Sequence, residues 1–287
     1  MWREKSKAAQ FFIAFFMGIF ILALPFSYAL FKFELSKKTE QPKPDRFYPQ
    51  VSDAIVITAA LKNKKAEDPM GFVLCRIDPY QNEISYAVLP PETLVEDAGG
   101  FYMASEVWGE EGAKRGAQAI QSAAGIENGR YIELDSEAII RLGETIGAID
   151  VTLEEEISLE NGLMTLPKQR QLIDGTKAAL LINYRGYSGG ESRRIDMIAK
   201  LFSQALNQRV PLLNDYLLEK TFETAVNSGY SDLTIGDFES RRRSINHMVT
   251  NDFNVDRIAV TGEYSGDDNT FFLSAESIKN ITEEFKT

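Results

Sequence analysis

Ala8–Phe31 runs for 24 residues without a charge and is rich in Phe, Ile and Leu. As a helix rising ~1.5 Å per residue it would reach ~36 Å, enough to cross a ~30 Å hydrocarbon core with some tilt. A cleaved leader has a shorter apolar core, ~7–15 residues, although Ser27–Ala29 offers a small-x-small pattern at which cleavage could occur. Arg3, Lys5 and Lys7 precede the run and Lys32, Lys37 and Lys38 follow it, so the basic flanks nearly tie. The long acidic body fits export and decides the orientation. The expected organisation is a cytoplasmic tail (1–7), a single transmembrane anchor (8–31), a linker (32–49) and an extracytoplasmic body (50–287). Ser36–Pro49 is polar and holds three prolines, the composition of an extended spacer.

Charge narrows the partners. The chain carries a net charge of -11. Residues 1–38 hold a surplus of +4, so the remainder stands at -15. Such a body is a poor match for nucleic acid, whose binding requires neutralised phosphates. Its expected partners are the cytoplasmic membrane and the envelope. One cysteine, Cys75, lies in the apolar run Gly71–Ile77 and reads as a buried, inert thiol. One histidine, His247, leaves neither a zinc cluster nor a Ser-His pair. No metal-ligand set and no bound cofactor are expected from these residues.

Short β-branched runs alternate with helical periodicity throughout the body. Asp53–Ala60, Gly71–Ile77, Ile84–Leu89, Gly129–Leu134, Ile149–Leu153, Val255–Glu263 and Phe271–Leu273 read as strands. The Asp78-Pro79 turn joins the second and third as a hairpin. Helices are predicted over Gly112–Ala124, Ser136–Ile146, Lys177–Ile182, Glu191–Gln208, Pro211–Val226, Gly236–Met248 and Ser274–Phe285. Expected caps are Asp135 or Ser136, Asp174 or Thr176, Ser231 or Asp232, and Ser274. In Glu191–Gln208 the residues Ile195, Ile198, Phe202 and Leu206 recur at helical spacing. The alternation implies one α/β domain, a layered α-β-α body around a central mixed sheet.

Four segments, in order, carry a family likeness. They are Leu89-Pro90-Pro91-Glu92-Thr93, then Gly125–Val151 ending in Gly147-Ala148-Ile149-Asp150-Val151, then Leu172–Leu180, then Tyr184-Arg185 leading into the Glu191–Leu201 helix. Together they resemble the LytR-CpsA-Psr family, membrane-anchored bacterial enzymes that move polymers from a polyprenyl-phosphate lipid onto the cell wall. The resemblance implies a polyprenyl-pyrophosphate-dependent glycopolymer phosphotransferase using Mg2+. In the family the proline turn usually reads Ile-Pro-Arg-Asp-Thr, and its arginine grips a pyrophosphate. Here Pro91 holds that place. Asn183 and Met197 stand where two further arginines are expected, and Pro69-Met70-Gly71 replaces a Ser-Asp-Thr whose aspartate helps hold magnesium.

The losses have a direction. Phosphoryl transfer depends on cations around the phosphates, and proline offers neither a side-chain donor nor a backbone N–H. Loss of one transition-state donor typically costs ~10²–10³ in rate. Arg185 and Arg194 remain as candidate lipid-phosphate ligands, with Arg193 and Arg76 as stand-ins. Glu92 either replaces the family aspartate or is an exposed turn carboxylate. Trp108 and Tyr102 either line a lipid groove or pack in the core. Arg241, Arg242 and Arg243 are expected on a solvated helix face. Three readings result: a catalytically degenerate lipid or partner binder, an active divergent phosphotransferase, or a protein-binding regulatory module.

Overall fold

The computed structural model describes residues 47–63, 68–159, 164–266 and 269–286. The expected tail, the anchor and nearly all of the linker lie outside these residues. Tyr48–Thr287 forms one compact unit.

Its centre is a five-stranded mixed sheet. β1 (Ile55–Lys62), β2 (Pro69–Asp78) and β3 (Glu83–Leu89) run antiparallel in sequence, with Ile55 opposite Ile77 and Ile77 opposite Ile84. β6 (Arg130–Leu134) adds parallel to β1, and β11 (Asn254–Arg257) adds parallel to β3. The β2–β3 turn closes as expected, because the Asp78 carboxylate accepts from the N–H groups of Tyr80 and Gln81, each at 3.0 Å.

Strand alternation divides the apolar residues between two cores. Val56, Ala60, Phe72, Leu74, Ala87 and Leu89 face α1 (Ala104–Glu111), α2 (Ala113–Ala123) and α8 (Ala275–Phe285). Trp108 fills this side at 1% exposure and donates its indole N–H to Glu133 at 2.8 Å. Leu61, Val73, Ile84, Tyr86 and Val88 face the opposite layer. That layer contains α3 (Ser136–Ile146), α4 (Gly175–Asn183), α5 (Gly190–Arg209) and the end of α7 (Ile235–Val249). α6 (Asp215–Asn227) packs outside α3. The three-layer α/β architecture with a mixed sheet is therefore present.

Four smaller pairings complete the described chain. β4 (Leu94–Asp97) pairs with β5 (Gly100–Met103), and β7 (Ile149–Thr152) with β10 (Arg170–Ile173). β8 (Ile157–Leu159) pairs with β9 (Met164–Leu166), and β12 (Gly262–Tyr264) with β13 (Phe271–Leu273). Three caps act as the sequence suggests: Asp135, Asp174 and Ser274 accept from Ala138, Lys177 and Ser277.

Other expectations need correction. Val255–Glu263 is not one strand: β11 ends at Arg257, and the chain then leaves β3 and pairs with β13 from Gly262 onwards. Neither Ser231 nor Asp232 opens α7. Both are bonded to Tyr131 at the outer edge of β6, and Thr234 caps α7 in a reciprocal box with Asp237. Tyr102 is 47% exposed on β5 and belongs to neither core. The arginine run on α7 is paired rather than simply solvated. Arg241 meets Asp237, and Arg242 meets Asp215, Glu219 and Glu239.

Candidate functional site

The proline turn follows β3 and is held by the start of α1. Thr93 donates its N–H and its hydroxyl to the Pro90 carbonyl, at 3.2 and 2.7 Å. The carbonyls of Pro91 and Thr93 accept from Ser105 at 3.0 Å and Ala104 at 2.8 Å, which occupies two N–H groups at the helix start. Pro90 and Pro91 are both buried. The turn is thus a packed structural element, and no cation projects from position 91.

α5 brings Arg194 to this end of the sheet, where it is 1% exposed. Its Nε donates to Glu191 Oε2 at 2.9 Å, and its Nη1 donates to the Ile182 carbonyl at 3.2 Å. Its Nη2 donates to the Met70 carbonyl and to Glu191 Oε1. The guanidinium therefore ties α5 to the C-terminal turn of α4 and to β2, and four of its donor bonds are made inside the protein. Such a group costs a great deal to unpair and has little left for a ligand.

Arg185, just after α4, is different. It is exposed, and its Nη2 lies 3.4 Å from Met70 Sδ. Glu92 is half-buried rather than exposed, and its Oε2 is shielded from solvent without a hydrogen-bond partner. Burial raises its pKa above the usual carboxylate value. The Glu191 charge adds to the rise, while the backbone, Arg194 and Arg185 oppose it. Tyr264 on β12 joins this cluster. Its buried hydroxyl is also unpartnered, and burial together with Glu92 and Glu191 raises its pKa. Nothing in the sequence marked Tyr264, which ends a three-residue strand whose pairing with β13 had to be known first.

The structure thus brings Arg185, Arg194 and Glu92 together and separates the other two candidates. Arg193 points to the β7–β8 connection, pairing with Glu154 at 2.5 Å and Glu155 at 3.7 Å. Arg76 lies six residues along β2 from Met70, ~20 Å away at strand spacing. There it meets Asp78 and Glu284. Asn183 and Met197, the other two changed positions, are built inward. Asn183 donates to Ser136 Oγ and to the Ala179 carbonyl, at 3.1 and 2.7 Å. Met197 is 4% exposed within the α5 core.

Few donors for magnesium, which the resemblance implies, remain free in this cluster. Among the described residues no group of three or more His, Cys, Asp or Glu could hold a metal ion. The Met70 carbonyl and Glu191 are both engaged by Arg194, so Glu92 alone is left. The raised pKa of Glu92 gives a pH test. A carboxyl raised on folding favours the native state while protonated, and this contribution is lost as pH rises through its folded pKa. Glu92→Gln is therefore expected to raise the Tm at pH 7, with the difference from wild type shrinking towards pH 4 in parallel thermal melts.

Behind this cluster lies an apolar cavity of about 280 Å³, close to the lower end of the ~300–1,000 Å³ typical of small-molecule sites. Its walls are Ala59, Leu61 and Val73 of the sheet, Leu142 and Ile146 of α3, Ala178 and Ile182 of α4, and Ile198, Phe202 and Ala205 of α5. Gly143 and Gly175 let α3 and α4 approach closely along one wall, since a Cβ on Gly143 would sit 2.4 Å from the Gly175 Cα. Ile182 links cavity and cluster: its side chain lines the cavity and its carbonyl is held by Arg194. Arg185 and Arg194 do not line the cavity themselves.

The sequence model of the LytR_cpsA_psr family matches residues 71–287. No curated protein matches the chain in sequence. Several solved structures share the fold. A protein of Eubacterium siraeum described as a transcription regulator aligns with TM-score 0.74 at 17% identity, over 85% of this chain and 96% of that one. TagV of B. subtilis aligns with TM-score 0.66 at 15% identity, over 81% and 95%. TagT bound to LIIa-WTA aligns with TM-score 0.67 at 14% identity, over 85% and 94%.

Proposed function

Because the chain belongs to the LytR-CpsA-Psr family, whose members act in cell-wall glycopolymer assembly, we propose that it binds a polyprenyl-phosphate type of lipid without transferring a polymer from it. On this reading Ala8–Phe31 anchors the chain in the cytoplasmic membrane, and residues 50–287 act on the extracytoplasmic side. One observation carries the proposal. An apolar cavity lies between the sheet and α3, α4 and α5, while Arg194 is spent on Glu191, Ile182 and Met70. TagT, which shares this fold, has been seen with LI-WTA and LIIa-WTA, and this supports a lipid-linked ligand here.

The chemistry agrees with binding over transfer. A tail of isoprene units needs only apolar walls, and the walls are present. A pyrophosphate leaving group needs several cations aimed at it. Of the cluster around the turn, Arg185 alone is exposed and without a carboxylate partner among the described residues. A second reading, residual phosphotransfer through Arg185 and Glu92, is favoured by the unpartnered Glu92 oxygen beside that arginine. A third, a purely protein-binding envelope module, has no need of the cavity.

Filling the cavity tests the proposal. Ala205→Trp puts an indole into the space along α5. Full-length chain purified from membranes is expected to carry extractable polyprenyl lipid, and Ala205→Trp is expected to lose most of it while keeping its helical circular dichroism. Equal lipid content in the two folded proteins would contradict the cavity as the lipid site. Absence of lipid from both would favour the protein-binding module.

A further inference from the structure

The cavity runs along α5, and the two ends of that helix differ in an unexpected way. At the N-terminal end the guanidinium of Arg194 is buried and engaged. At the C-terminal end, ~22 Å further along the helix axis, Arg209 lines the cavity itself. Among the described residues that do so, it is the one cation. Its Nε is buried and has no hydrogen-bond partner, and no described carboxylate forms an ion pair with it. Asp150 lies within electrostatic reach of it, but its two carboxylate oxygens are already held by Arg170, at 3.1 and 2.8 Å. Gly147, at φ 90°, presents bare backbone to the guanidinium: a Cβ there would lie 3.5 Å from Arg209 Cζ.

We infer that the cavity takes an amphiphile with a single anionic head group, and that Arg209, not the Pro91 turn, receives that head. This inference rests on reading the cavity as a lipid site and adds which end is polar. A half-buried guanidinium at the edge of an apolar space, with its Nε shielded and unpartnered, favours an anion beside it, and an anion tethered to an apolar tail answers both features at once. The other cavity-lining charge, Asp174, already caps α4 through the Lys177 N–H. Helix-end electrostatics alone would also favour a cation at Arg209, so the test must read head-group charge rather than stability.

Full-length chain in maltoside micelles is titrated with dodecyl phosphate, with dodecanol as its uncharged twin and with inorganic phosphate as the tail-less control. Arg209→Ala is expected to weaken dodecyl phosphate about tenfold, in keeping with loss of a charge-assisted contact. Arg209→Lys should retain most of the affinity, and Arg185→Ala should change it less than about twofold. Dodecanol should bind all forms alike, and inorganic phosphate should bind far more weakly. Loss of dodecyl phosphate in Arg185→Ala but not in Arg209→Ala would place the head at the turn, overturning the inference and leaving the cavity reading intact. Equal loss of dodecanol in Arg209→Ala would show a purely structural role and overturn it too. Inorganic phosphate binding as tightly as dodecyl phosphate would overturn it in favour of a free-anion site. Failure of every form to bind either amphiphile would remove the cavity reading and the inference together.

Discussion

Arg194→Ala is expected to lower the stability of the body by about 3–5 kcal/mol, the usual cost of leaving a buried ionic partner uncompensated. The Tm should fall by on the order of 10 °C for a body of this size. Three groups lose their donor at once: the Glu191 carboxylate, the Ile182 carbonyl at the end of α4 and the Met70 carbonyl in β2. The loss reaches across the whole site, because these groups belong to three different elements. Arg185→Ala is the matched control. Arg185 is exposed and its one hydrogen bond among the described residues is to Met70 Sδ, so its melt should stay within about 0.5 kcal/mol of wild type. A ligand-binding role for Arg194 predicts the reverse pattern, an unchanged melt with lost binding. Urea unfolding of both variants, followed by far-UV circular dichroism, separates the two accounts.

Met197→Arg is expected to do more damage still. The sequence resemblance places an arginine there, and on that ground alone the change would look like a repair. In the structure Met197 is 4% exposed and packed among the apolar residues of α5. An arginine at that position buries a charge with no carboxylate provided for it. The effective penalty is several kcal/mol, a large share of the ~5–15 kcal/mol that holds a typical domain together. The variant should appear largely in the insoluble fraction or melt well below wild type. A soluble Met197→Arg protein with an unchanged Tm would show that the core around α5 still accommodates a cation, and would weaken the claim that the charge cluster has been built out of this fold.

Much of the fold could be read from the sequence where local chemistry decides it. The Asp78 turn, the Asp135, Asp174 and Ser274 caps and the apolar stripe of α5 are short-range features, and each appears where its residues predict. The failures occur where pairing is non-local. Ser231 and Asp232 are good capping residues by type, yet their side chains are used by Tyr131, a hundred residues away. The Val255–Glu263 run has strand composition throughout, and only its two partners, β3 and β13, reveal the break.

The site shows the same limit. Arg185, Arg194 and Glu92 were identified from motif order, and the structure does gather them. Whether each is available was not legible, because it depends on carbonyls such as that of Met70, 124 residues from Arg194. Sequence alone leaves Glu92 either a substitute for the family aspartate or an exposed turn carboxylate, because nothing local signals its partial burial near Glu191 and Tyr264. Arg209 escaped notice for a related reason. It stands one residue beyond the expected end of its helix, and no motif distinguishes a last-turn cation from a cavity-lining one.

The central claim, a retained lipid scaffold without transfer, is tested most directly by a single assay. Full-length chain is incubated with lipid-linked glycopolymer, peptidoglycan acceptor and Mg2+, with wild type and Arg185→Ala compared side by side. The expected result is lipid bound to the wild type, with polymer transfer indistinguishable from the protein-free control in both. Robust turnover by the wild type that is abolished in Arg185→Ala would contradict the account and make this chain an active transferase with a rebuilt cation site.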